Sequence, residues 1–109
     1  HLYNIDRPSP AMVEMMSHLV RVTAMIRDAV PHLRAHRYQE LIGGGRKVRA
    51  VEKEADTTYR AAISNLFRER HADFRLLLSQ KEALDDLEHA VDHCDNVADL
   101  LANLAVKHG

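Results

Sequence analysis

The chain has 109 residues, 46% hydrophobic and 28% charged, with a formal net charge of −1, which is the composition of a folded globular domain rather than of a disordered or fibrous chain. At this length folding buries roughly 65% of the surface the unfolded chain exposes, enough for one core, so a large enzyme with separate cofactor and substrate domains is excluded. No stretch approaches the ~18 consecutive apolar residues of a membrane span. The start HLYNIDRPSP lacks the charged-then-apolar pattern of an export signal, so none is expected. Trp is absent and only two Phe and three Tyr occur, which argues against base stacking and a nucleic-acid partner. A single cysteine, Cys94, cannot form an internal disulfide and fits a reducing cytoplasm.

Residues 1–9 read as a leading linker. Ser9-Pro10 is a helix start: the serine hydroxyl caps, and proline suits the first helical position, where its missing N–H would be unpaired anyway. Met12, Met16, Leu19, Thr23, Ile26, Val30 and Leu33 then recur at spacings of three and four, predicting a first helix over about 10–37 with Pro31 as a kink or break. Gly43-Gly44-Gly45 predicts a flexible turn, since each helical glycine costs about 1 kcal/mol relative to alanine. A second helix follows over about 46–69 on Val48, Val51, Ala55, Thr58, Ala62 and Leu66, closed by the polar turn Arg70-His71-Ala72-Asp73. Asp73 caps a third, over about 74–107, whose stripe of Leu84, Leu87, Val91, Cys94, Ala98, Leu101 and Ala105 keeps strict 3,4 spacing. Leu87, Val91, Cys94 and Leu101 are expected to be buried. No strand alternation competes, so the expected fold is all-α, a single elongated antiparallel three-helix bundle. The wide apolar stripe with Met12, Met15, Met16 and Met25 predicts packing on a second copy or a further helical half.

Charge is distributed unevenly along this frame. Residues 1–81 hold 14 Lys and Arg against nine acids, whereas residues 82–109 hold Lys107 alone against seven. With Leu84, Val91 and Ala98 at heptad position a, the acids Asp85, Glu88, Asp92, Asp95 and Asp99 form a second stripe at b and e. Glu52 and Asp56 occupy the same positions on the second helix. If the two helices pair antiparallel about a midpoint near Ala72, Glu52 lies level with Asp92 and Asp56 with Glu88, bringing four carboxylates to one side of the seam. Such a patch suits a hard cation, magnesium, calcium, manganese or iron. Asp85, His93 and Asp95 stand at its margin, His93 offering a softer nitrogen. The competing reading is a solvated acidic face answered by Arg49 and Arg60. His32/His36 and His89/His93 are i,i+4 pairs with chelating spacing, and Cys94 reads as a small core residue.

The run Leu87-Glu88-His89-Ala90-Val91-Asp92-His93-Cys94-Asp95-Asn96-Val97-Ala98-Asp99 resembles the E-x-x-x-D signature of PhoU-type proteins. Val51-Glu52-Lys53-Glu54-Ala55-Asp56, with Tyr59 to Ile63 and Leu66-Phe67 after it, resembles the matching signature on the preceding helix. The nearest likeness is to the shorter PhoU-like branch of phosphate transport regulators associated with low-affinity phosphate permeases. It implies a PhoU-like half-repeat, the C-terminal three-helix half of a longer six-helix protein. It implies a metal-binding, non-catalytic, cytoplasmic regulator, with iron or zinc held through Glu52, Asp56, Glu88 and Asp92. Its expected contacts are a phosphate permease at the inner membrane or a sensor kinase. The sequence departs from the branch at Ser79-Gln80, where Lys and Trp are often found, at Pro31 and at the glycine triplet. Two other classes compete. A carboxylate-bridged di-metal oxidoreductase would want Glu-x-x-His motifs, which are absent here; a purely structural dimerisation module would use the acids for nothing.

Overall fold

A computed structural model of the chain describes residues 7–69 and 73–108. It contains three helices, α1 (Pro10–Arg34), α2 (Tyr38–Arg68) and α3 (Phe74–His108), and each packs on both others. The directions follow from the rungs between them. His18 and Arg21 of α1 meet Thr58 and Glu54 of α2, so one helix advances as the other returns. Tyr59 and Arg49 of α2 likewise meet Asp85 and Asp95 of α3. The bundle is antiparallel and elongated, 56 × 23 × 18 Å. None of its described helices is long and apolar enough to cross a membrane.

The predicted starts of α1 and α3 stand. The Ser9 hydroxyl accepts from the Met12 amide at 3.2 Å with Pro10 behind it, and the Asp73 carboxylate accepts from the Arg75 amide at 2.9 Å. The first turn is elsewhere than expected. α1 runs through Pro31 without a break and ends one turn later. There the amides of His36 and Arg37 return to the carbonyls of Leu33 and His32 at 3.2 and 2.8 Å. This is a Schellman closure. Its left-handed residue, glycine in most helices, is His36 at φ 56°. The glycine triplet lies inside α2, with no positive φ among its members. Leu41 and Val48, 1% and 2% exposed, explain why. They are seven residues apart on one face, and burying each stabilises the helix by ~1.5–3 kcal/mol, enough to offset the glycines between them. The predicted linker over 1–9 lies mostly outside the described residues, as do Arg70, His71 and Ala72 of the second turn.

The core is a row of two clusters. Met12, Met15, Ala55, Leu66, Leu84 and Val91 fill the first, and Val22, Val48, Val51 and Ala98 the second. Of the four α3 residues expected inside, Val91 is buried, while Leu87, Cys94 and Leu101 are half-buried. A 3.6-residue helix drifts ~20° per heptad against a strict seven-residue repeat. Successive d positions therefore turn toward the edge, and Asp95, an e position, turns inward to 5% exposure.

Candidate functional site in the groove between α2 and α3

The register anticipated from a midpoint at Ala72 is the one observed. Tyr59 donates its phenol hydrogen to Asp85, and Arg49 Nε donates to Asp95 at 3.2 Å. The partners are 26 and 46 residues apart, each pair centred in sequence on Ala72. Between these two rungs lie Glu52 and Asp56 on α2 and Glu88 and Asp92 on α3, at the levels the heptad reading assigned them.

The outer acids of the stripe are answered by cations or hydroxyls. Arg49 bridges Asp95 at 3.1 Å and Asp99 at 2.8 Å, and this pair of carboxylates holds the guanidinium in its charged form. Asp85 takes the Tyr59 phenol on one oxygen and Lys81 Nζ on the other at 2.6 Å. Burial pushes the Asp85 carboxyl up, but the hydrogen bonds from Lys81 and Tyr59 outweigh it, and its pKa falls below the ordinary value. The same bond, with burial and the nearby Glu88 charge, pushes the Tyr59 phenol up to about 12. Asp56 pairs along its own helix with Arg60 at 3.1 Å. The sequence reading named Arg49 and Arg60 as possible answers but missed Tyr59 and Lys81. Tyr59 lies on the same heptad stripe as the acids, and that position was the available signal.

The middle of the stripe is left negative. Glu52 and Asp92 make no hydrogen bond or ion pair among the described residues, and Glu88 has His89 at 3.7 Å. Glu52 is half-buried, and its carboxyl is raised first by that burial and then by the charges of Asp95, Asp56 and Asp92, against the opposing pull of Arg49. The fields of acids from both helices thus converge on one side chain. Among the described residues no group of three or more His, Cys, Asp or Glu side chains is arranged to hold a metal ion. Of the margin residues, Asp95 is buried on Arg49, Asp85 is held by Tyr59 and Lys81, and His93 is exposed.

The two members of the His32/His36 pair take separate paths. His36 Nδ1 is 2.7 Å from the Tyr38 hydroxyl, while His32 Nδ1 is buried without a hydrogen-bond partner among the described residues. Cys94 is half-buried and burial alone raises its thiol, so it behaves as a small apolar residue rather than a reactive thiolate. Comparison with protein-family models, with curated proteins and with solved structures finds no match to this chain.

Proposed function

We propose that the chain is a non-enzymatic, cytoplasmic helical module that binds a metal ion in the α2–α3 groove and acts through protein contacts as an accessory of phosphate transport. The observation that carries the metal reading is the bracketed register: the Arg49–Asp95 and Tyr59–Asp85 rungs enclose Glu52, Asp56, Glu88 and Asp92 on one side of the seam. The donor chemistry suits a hard cation such as magnesium, manganese, calcium or iron, with zinc the further candidate from the PhoU resemblance. A bound ion would neutralise the repulsion that Glu52 feels from Asp95, Asp56 and Asp92. The transport role rests on the PhoU-like signatures in α2 and α3, and with it the permease or sensor kinase as partner.

Metal content measured on the purified chain, before and after loading, tests the site. The Glu88→Ala, Asp92→Ala double variant should lose uptake and keep its helix content. A variant that retains its full metal content, or a wild-type chain that takes up none of these ions, overturns the site. Phosphate uptake by cells with and without the chain tests the transport role separately.

A second reading is supported by the outer surface of α1, where Val13, Met16 and Val20 are 55%, 48% and 61% exposed at helical spacing. Such a stripe favours association with a second copy or another helical half. Light scattering that finds only monomer at high micromolar concentration counts against it.

A further inference from the structure

Gly43 and Gly44 sit in mid-helix, where glycine weakens α2, and a methyl group built on either would meet nothing within 4 Å. Close packing therefore does not require them. Gly45 differs, since its added carbon would touch Ala102 at 3.4 Å. The space over Gly43 and Gly44 belongs to a cavity of about 310 Å³ between the end of α1 and the start of α2, a size at the lower end of small-molecule sites.

The lining sets solvent-facing charges around one buried polar atom. Asp28, His32, Glu40 and Lys47 contribute its polar groups, and Met25 and Ala29 its apolar wall. Asp28 is held only along its own helix, by Arg27 at 3.2 Å. Glu40 and Lys47 make no hydrogen bond or ion pair among the described residues, and His32 Nδ1 is buried and unpaired. Glu40 and Lys47 stand two turns apart on either side of the glycine pair, so the gap lies between opposite charges that do not reach each other. A simple anion would meet Asp28 and Glu40 there, and a simple cation would meet Lys47.

We propose that this cavity binds a small zwitterion of the free amino-acid class, its ammonium on Asp28 and Glu40, its carboxylate on Lys47 and its side chain against Met25 and Ala29. This rests on the α1–α2 cavity and not on the α2–α3 groove, so either site can fail without the other.

Titrating the ¹⁵N-labelled full chain with pools of the common amino acids, and then with the best binder alone, tests it. Saturable shifts are expected at the Gly43 and Gly44 amides. The amine made by removing that binder's carboxyl group should bind about tenfold more weakly, a difference of about 1.4 kcal/mol. Lys47→Met should erase this preference, and Gly44→Leu, which fills the space while improving helix propensity, should abolish the shifts with helix content intact. The absence of a shift with every pool overturns the proposal, as does undiminished binding by Gly44→Leu. Equal binding of the amine and the amino acid, or a preference that survives Lys47→Met, also overturns it. Lys47 is exposed, so its variant tests the idea even if Gly44→Leu disturbs the fold.

Discussion

Arg49 and Asp95 occupy mirrored positions about the second turn, and the guanidinium of the first closes over the carboxylate of the second at 3.1 Å. The two ends of this pair are unequal: the Asp95 side chain is 7% exposed and that of Arg49 is 49% exposed. Removing the arginine leaves a buried, unpaired carboxylate, whereas removing both charges leaves nothing to desolvate. Arg49→Met should lower the melting temperature, and adding Asp95→Asn to it should restore most of the loss. Asp99→Asn alone should change little, because that carboxylate is 47% exposed. Thermal unfolding of the three variants checks the pattern.

At the other rung, Tyr59 should ionise late. Its folded value is pushed up to about 12 from 10.0, so the stability it contributes is fully present below pH 10 and is lost as pH rises toward 12. Asp85 works in the opposite direction: its lowered value gives stability above the ordinary aspartate range that disappears in acid, as the folded carboxyl takes up its proton. An alkaline absorbance titration should show a late tyrosinate phase that Tyr59→Phe removes and Asp85→Asn moves earlier.

Glu52→Gln should stabilise the fold at neutral pH while weakening metal uptake. The folded carboxyl is raised above its ordinary value, so the fold favours the protonated form, and ionisation costs stability as pH rises through the folded value. Relief of that repulsion should yield a few tenths of a kcal/mol, and the gain should vanish in acid, where wild-type Glu52 is itself protonated. Urea unfolding at neutral and acid pH reads the stability, and metal loading of the same variant reads the site.

Backbone changes near the first turn should stabilise as well. Gly43→Ala and Gly44→Ala place a methyl group in open space within a helix, so each should add about 0.4–1 kcal/mol. His36→Gly removes the cost of a left-handed side-chain-bearing residue, about 1 kcal/mol, less what the contact with Tyr38 supplies. Chemical denaturation measures all three. A Gly43→Ala chain less stable than wild type would mean that the glycine is required by something packed above it.

The α2–α3 pairing was readable because two periodicities agree. The apolar seam set which side the acids occupy, and the turn near Ala72 set their height; Tyr59–Asp85 and Arg49–Asp95 meet where both place them. The α1–α2 turn was misread because a glycine triplet is a strong local signal, and Leu41 and Val48 outweigh it only when their common face is buried in three dimensions. Burial along α3 was misjudged in the same manner at Cys94 and Leu101, where a strict heptad ignores the drift of a real helix. The cavity beside Gly44 was not foreseen, since Asp28, His32, Glu40 and Lys47 share no motif and meet only because the turn falls at His36.

The mirrored rungs also favour one order of assembly. Closing the 26-residue separation of Tyr59 and Asp85 from an unfolded chain costs about 0.5 kcal/mol less than closing the 46-residue separation of Arg49 and Asp95. Once the nearer rung is made, the farther one adds little further loop. Zipping of the α2–α3 hairpin from its turn outward is thus the cheaper order; along it, disruption of the Tyr59 rung should slow folding, while loss of the Arg49 rung should mainly speed unfolding.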